Sequence, residues 1–187
     1  MAKQFPAIDD AQRDFIARQH IFFTASATAE SRVNISPREA ACLRVLTPNR
    51  VAYLDQTGSG AETAAHLHAD GRLTIMFCAY AGPPLILRLY GRGHTLTRGT
   101  QAYAETLATA FDNQESPGAR QIVVLDIDLV QTSCGYGVPL FEHTGDRPTL
   151  RRWAESKGDS GLSAYRAEKN AISIDGLPTH LVGDAAG

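Results

Sequence analysis

Apolar and polar residues alternate in short runs through the first two thirds of the chain, and this spacing predicts β-strands. In residues 32–36 the alternation predicts a strand with one buried face and one face toward solvent or a ligand. Pro48 and Asn49 predict a hairpin turn between two of the runs. Gly91 and Gly93 indicate a bulge or a bend after the apolar run at residues 85–90. The predicted strands are residues 21–25, 32–36, 43–46, 51–54, 72–78, 85–90 and 121–131.

Helical spacing appears at four places. The first helix follows Asp9 or Asp10, either of which can cap it, and the second covers residues 61–68. Residues 100–111 form the third, because Tyr103, Leu107 and Phe111 recur four apart. Between residues 148 and 170 lie helical pieces whose Trp153 is expected to dock onto the barrel, whereas residues 183–187 are expected to fray.

This order of elements favours a small β-barrel with helical additions. We find no internal repeat and no linker, so residues 1–187 are predicted to form a single domain with a helical C-terminal extension from about residue 133. The 187 residues, 43% hydrophobic and 20% charged, fit one globular domain and exclude wholesale disorder.

The charge and hydropathy of the chain limit the kinds of partner that it is expected to bind. Eighteen Lys and Arg against 20 Asp and Glu leave a net charge of -2, without the basic excess of a nucleic-acid binder. No apolar run approaches the ~20 residues of a membrane span, and the first residues lack the apolar stretch of a signal peptide. Three cysteines are too few and too far apart for a disulfide framework. A cytoplasmic protein without nucleic-acid or membrane partners is therefore expected.

The turn from Thr57 to Gly60 follows a predicted strand and precedes a helix with Thr63 in its first turn. Free amide hydrogens at a helix N-terminus, with hydroxyls and glycine nearby, suit a phosphate. No lysine follows the second glycine as in a nucleotide-hydrolase loop. The alternative is an ordinary tight turn with a hydroxyl cap.

Arginines are the second candidate for anion binding. Arg32 and Arg38 bracket one predicted strand, and Arg88 lies between the apolar Leu87 and Leu89. A guanidinium suits phosphate or carboxylate groups. A solvated arginine or an ion pair with Asp or Glu is the alternative for each.

Histidine and cysteine side chains offer further candidates. His66 and His68 lie two apart, which puts them on different sides of a helix, so no metal site is predicted there. Cys134 in a glycine-rich loop, with His143 near it in sequence, is a candidate reactive thiol, whereas Cys78 is expected in the core.

Taken in order, several of these segments resemble the pyridoxamine 5′-phosphate oxidase-like family of FMN-binding split β-barrels. The resemblance covers roughly residues 15 to 130. Residues 134–139 and 173–178 look like a less characterised branch of that family. The segments that carry the resemblance are residues 32–38, 53–63, 72–78 and 88–91.

The resemblance implies a mainly β fold, an FMN-binding split β-barrel with flanking helices, and a homodimer whose chains share the flavin sites at their interface. It implies an FMN-dependent oxidoreductase that passes electrons or hydride between flavin and a small molecule, with NAD(P)H as the candidate donor. No catalytic side chain is assigned, because the flavin carries the redox chemistry. Tyr80, Tyr90 and Tyr136 are candidates for stacking on the flavin or for simple packing. The implied cofactor-binding residues are Arg32, Val33, Asn34, Ser36, Arg38, Thr57, Ser59, Gly60, Thr63 and Arg88.

Two departures from the family pattern leave alternatives open. Glu62 and Thr63 stand where the family has a basic pair, and Leu177-Pro178 replaces a C-terminal arginine motif for substrate, so pyridoxamine phosphate is not the expected substrate. A flavin-sequestering protein without turnover and a dimeric interaction module that has lost flavin are the competing functions. A deazaflavin is the alternative cofactor.

Overall fold

A computed structural model describes residues 2–181 of the chain. Its eight strands form one antiparallel sheet in the order β3-β2-β6-β7-β8-β5-β4, with β1 paired to β8. The strands are β1 (Lys3–Phe5), β2 (Ile21–Ser26), β3 (Asn34–Glu39), β4 (Leu43–Thr47), β5 (Arg50–Gln56), β6 (Arg72–Cys78), β7 (Ile86–Thr97) and β8 (Ala119–Ser133). The mainly β prediction is confirmed.

Four α-helices flank the sheet, and a 3₁₀ turn at Ala40–Cys42 joins β3 to β4. Asp9 caps the first helix in a reciprocal box with Gln12, and Thr100 caps the third through the Tyr103 amide. The helices are α1 (Asp10–Ala17), α2 (Glu62–Ala69), α3 (Gln101–Ala110) and α4 (Thr149–Lys169). The four predicted helical regions are confirmed, while the prediction for residues 183–187 lies outside the described residues.

Long strands at the centre of the sheet build two apolar layers. Inside the curl lie side chains such as Phe22, Tyr53 and Phe77, and on the outer face of β5 and β8 a second cluster packs against α3. β7 continues through the predicted bend, where its register with β8 shifts between Tyr90 and Gly91. A Cβ on Gly91 would lie 1.9 Å from the Asp126 carbonyl oxygen, so a glycine is needed there.

α4 changes direction at Gly158, whose φ of 61° lies in the left-handed region. Trp153 and Tyr165 therefore meet edge to face, with ring centroids 5.1 Å apart, although twelve residues of straight helix would span ~18 Å. Trp153 is half-buried against Tyr165, and its docking of α4 onto the barrel stays a prediction. Ala154 and Leu162 are the buried residues of this helix.

Within residues 2–181, no helix has both the length and the apolar character that crossing a bilayer requires.

Candidate functional site

The inner face of β3 carries a row of polar side chains, Asn34, Ser36 and Arg38. The apolar residues beside them turn outward, and Ile35 is 65% exposed. The predicted alternation of an inward and an outward face is present, and the inward face is the polar one. β3 is an edge strand, and across it β2 presents Thr24 and Ser26, which hydrogen-bond with the inward row.

A partly buried polar cluster joins the start of β3 to α2. Asn34 Nδ2 donates to Thr63 Oγ1 at 3.0 Å and to Ser26 Oγ at 3.4 Å, and Ser36 Oγ donates to Asn34 Oδ1 at 3.2 Å. Ser26 Oγ lies 3.0 Å from His66 Nδ1. Three of the predicted site residues thus meet here, and Ser26 and His66 join them.

His66 is 1% exposed, and its Nε2 has no hydrogen-bond partner among the described residues. Most buried polar atoms in folded proteins are paired, so this ring nitrogen is free to hydrogen-bond with a ligand atom or a water molecule. His68 points elsewhere, toward Thr95, as the two-residue spacing predicts.

The glycine-rich turn is fixed by hydrogen bonds between Thr57 and the rest of the protein. Thr57 Oγ1 donates to the Gly118 carbonyl at 2.8 Å and accepts from Arg166 at 3.1 Å. Its hydroxyl is therefore already engaged inside the protein. Ser59 and Gly60 are exposed on the outer side of the turn.

At the N-terminus of α2 stands a carboxylate. Glu62 Oε2 accepts from the Ala61 amide at 3.0 Å, and Oε1 accepts from the Ile174 amide at 3.4 Å. Glu62 thus places negative charge where the family pattern has a basic pair, and it opposes a phosphate at this end of the helix.

Arg32 and Val33 lie just before β3. Arg32 pairs with Asp175, whose carboxylate also accepts from the Arg32 amide at 2.8 Å. That backbone hydrogen bond, followed by the guanidinium, lowers the pKa of Asp175 despite partial desolvation. Val33 is 69% exposed and Arg32 is 74% exposed, so both lie at the rim of the polar cluster.

Arg88 lies apart from the other predicted residues. It faces away from the buried Leu87 and Leu89, as the alternation predicts, and donates to Ser133 Oγ on β8 at 3.1 Å. Its assignment to a cofactor stays a prediction, without a contact to the β3 row among residues 2–181.

Asp55 on β5 connects the polar row of β3 to the rest of the barrel through ion pairs. It is 1% exposed, pairs with Arg38 at 2.5 Å and with Arg120 at 2.7 Å, and accepts from Gln121. Burial alone would raise the pKa of Asp55, but the charges of Arg120 and Arg38 outweigh it and lower that pKa to about 2. The predicted ligand Arg38 is thus already paired with a carboxylate.

Sequence reasoning did not assign roles to Asp55, Arg120 or Asn170. Arg120 Nη2 donates to the Gly60 carbonyl at 2.9 Å, and Asn170 Nδ2 donates to the Gly58 carbonyl at 2.9 Å. These bonds fix the turn that carries α2. An acidic residue directly after the apolar Leu54 was the available signal, since an isolated charge inside a buried strand needs a partner.

The remaining candidates do not converge. His143 stacks on His20 with ring centroids 3.8 Å apart, while Cys134 and Tyr136 are exposed. No contact within residues 2–181 therefore supports an activated thiol at Cys134. Cys78 is buried, as predicted. Residues 2–181 contain no cluster of three His, Cys, Asp or Glu side chains that could hold a metal ion.

Comparison with known proteins adds relatives to this geometry. The family model described as pyridoxamine 5′-phosphate oxidase matches residues 8–134. The pyridoxamine 5′-phosphate oxidase family protein ustO of Aspergillus flavus is 38% identical over 190 residues, covering 93% of this chain and 76% of the relative.

Solved structures share the fold at low identity. HupZ of Group A Streptococcus superposes with a TM-score of 0.54 and 19% identity, covering 67% of this chain and 99% of its own. A putative pyridoxamine 5′-phosphate oxidase of Lactobacillus delbrueckii superposes with a TM-score of 0.52 and 16% identity, covering 67% and 94%. The predicted split β-barrel is confirmed.

Proposed function

Because the chain belongs to the pyridoxamine 5′-phosphate oxidase family, we propose that it is an FMN-dependent oxidoreductase whose flavin is held by β3 and α2. The observation that carries this proposal is the partly buried cluster of Ser26, Asn34, Thr63 and His66, in which His66 Nε2 has no partner among the described residues. A bound flavin would supply the redox chemistry by exchanging electrons or hydride with a small molecule.

The cluster fits the polar parts of a flavin. Hydroxyl and amide groups of Ser36, Asn34 and Thr63 both donate and accept hydrogen bonds, which suits ring carbonyls, ring nitrogens and ribityl hydroxyls. The His66 ring is held through Nδ1 by Ser26, so Nε2 is oriented before a ligand arrives. These residues bind and position the group, and none of them is assigned a proton-transfer role.

The phosphate of FMN would meet a weaker site than in relatives with a basic pair. Arg32 is the exposed cation at the rim, and Asp175 already neutralises it in part. Arg38 is committed to Asp55, and Glu62 adds negative charge. We therefore expect the ring and ribityl contacts to provide most of the affinity, with Arg32 adding a modest share.

We also propose that two copies of the chain form a homodimer over this region. Ile35 on the edge strand β3 is 65% exposed, and Val33 just before that strand is 69% exposed. Ile174, next to the Asp175 that pairs with Arg32, is 72% exposed. An exposed apolar edge strand is prone to pair with another chain. A second copy would cover these side chains and enclose the rim of the cluster.

The C-terminal hairpin argues against pyridoxamine phosphate as the substrate. Ile172 and Pro178 form its β-bridge, and the buried Thr179 hydroxyl donates to the Asn170 carbonyl. The segment in place of the family's arginine motif thus serves to position Asp175 next to Arg32. Another small molecule is the expected substrate, with NAD(P)H as the candidate electron donor.

A dimeric module without flavin is the second candidate, favoured by Glu62 at the N-terminus of α2. One series of measurements separates the functions. The proposal predicts that the protein quenches FMN fluorescence at one FMN per chain and that NADPH or NADH bleaches the bound flavin without oxygen. Binding without bleaching by either donor would indicate sequestration. If the protein does not bind FMN, the dimeric module without flavin would be the remaining function.

A further inference from the structure

A cavity of about 630 Å³ lies between the first turn of α3, the start of β8 and the second half of α4. None of the described residues around it belongs to β2, β3 or α2, so it is separate from the proposed flavin site. Its distinguishing feature is three guanidinium groups, from Arg98, Arg120 and Arg166.

Two of these arginines have carboxylate partners. Arg98 Nε and Nη2 donate to the two Glu115 oxygens at 3.0 and 2.7 Å. Arg120 pairs with Asp55 at 2.7 Å, and its other nitrogens donate to neighbouring oxygens. Each of these two arginines thus has a carboxylate partner, although Arg120 shares that of Asp55 with Arg38.

Arg166 is the exception. Its Nη1 donates to Thr57 Oγ1 at 3.1 Å, and no carboxylate oxygen within residues 2–181 lies within 4 Å of it. Burial lowers the pKa of Arg166, and the charges of Arg98 and Arg120 lower it further, although Asp159 offsets part of this. A half-buried cation facing two others is unfavourable until an anion joins it.

We propose that this cavity is a second binding site, which takes an organic phosphate monoester on Arg166. A guanidinium presents paired N–H donors that match phosphate oxygens. The exposed Ser163 hydroxyl lies at the same cavity and can add a hydrogen bond. The volume exceeds what a phosphate ion fills, and Leu107 and Leu181 give part of the wall an apolar surface for an organic group.

The test uses phenyl phosphate as the probe, titrated calorimetrically into the full chain at constant ionic strength. One saturable site per chain is expected, with affinity at least tenfold weaker in Arg166→Gln, since a charge-assisted hydrogen bond is lost. Arg151→Gln is the matched control, because Arg151 lies exposed on the same helix. This variant should bind phenyl phosphate as tightly as the wild type does. Arg166→Lys, which keeps the charge, should retain part of the binding and covers the case in which Arg166→Gln fails to fold.

Equal affinity in the wild type and Arg166→Gln would overturn the proposal, as would benzoate binding as tightly as phenyl phosphate. The phosphate that binds at Arg166 could belong to a separate small molecule or to FMN itself. Titrating FMN and riboflavin in the presence of saturating phenyl phosphate distinguishes these two cases. Unchanged FMN affinity supports two sites, even if FMN binds weakly. Displacement of FMN but not of riboflavin, together with weaker FMN binding by Arg166→Gln, would overturn the second site and assign the cavity to the flavin phosphate.

Discussion

Arg38 on β3 and Asp55 on β5 form an ion pair at 2.5 Å, although their strands lie near opposite ends of the sheet order. The contact therefore draws the β3 edge of the curled sheet toward its far end. Arg120 on β8 holds the same carboxylate from the other side and also reaches the glycine-rich turn. Barrel closure and the position of α2 thus depend on one buried aspartate.

Replacing Asp55 with asparagine should lower the free energy of unfolding by about 3–5 kcal/mol, because two buried arginines lose their counter-ion. Chemical denaturation measures this. Asp126→Asn is the control, since its pair with Arg50 is exposed and should cost less than about 1 kcal/mol. An Asp55→Asn protein as stable as the control would show that the pair contributes little.

The same residue predicts an acid transition. The pKa of Asp55 in the folded protein is lowered from 3.8 to about 2. The stabilisation by this carboxylate is therefore complete well above pH 3.8 and is lost as the pH falls toward 2. That contribution amounts to about 2–3 kcal/mol. Unfolding free energies measured from pH 5 to pH 2 should fall more steeply in the wild type than in Asp55→Asn. Parallel slopes would contradict the assignment.

Gly91→Ala should destabilise the protein by about 1–3 kcal/mol or more, because the new Cβ would lie 1.9 Å from the Asp126 carbonyl oxygen. Thermal unfolding checks this against Gly137→Ala, where the added Cβ has nothing within 4 Å. Similar melting temperatures for the two variants would mean that the strands shift freely at the bulge.

Local patterns predicted much of the sheet. β6 was predicted at residues 72–78 and lies at Arg72–Cys78, because its alternation reflects burial on one face. The inward face of β3 could not be predicted in this way. Its polar side chains find partners on β2 and α2, and Thr63 lies 29 residues from Asn34, so the pairing depends on the tertiary fold.

Only part of the candidate site followed from the sequence. The hydroxyl-bearing turn before α2 indicated Thr63, and the family resemblance implied Asn34 and Ser36. The three side chains do meet. That Arg38 is engaged by Asp55 could not be predicted, since the partner comes from a strand far away in the sheet. Arg120 lies 50 residues from Asn170, and neither position carries a local motif.

Asp175 and Arg32 provide a paired test of the phosphate contact. Asp175→Asn should tighten FMN binding about two- to fivefold by releasing Arg32, and Arg32→Ala should weaken it by a similar factor, as expected for an exposed charge. Riboflavin, which lacks the phosphate, should respond to neither change. Fluorescence titration of each of the two variants with FMN and with riboflavin measures these affinities. Equal effects on riboflavin would place Arg32 away from the phosphate.

Ile35→Glu should dissociate the proposed homodimer, because it puts a charge into the apolar edge that a second copy would cover. Light scattering after size-exclusion chromatography should give about 40 kDa for the wild type, twice the 20.2 kDa chain, and about half of that for the variant. Leu140→Glu changes an apolar residue that is 75% exposed outside this edge and should remain dimeric. A monomeric wild type would contradict the homodimer.

Equilibrium titration of FMN, followed by its fluorescence, tests the proposed flavin site at β3 and α2 most directly. The wild type should bind one FMN per chain, and Asn34→Ala and His66→Phe should each bind about tenfold more weakly, the effect of losing a buried hydrogen bond. His68→Phe, on the exposed side of the same helix, should bind like the wild type. A wild type that leaves FMN fluorescence unquenched, or binding that both cluster variants leave unchanged, would contradict a flavin held at this cluster.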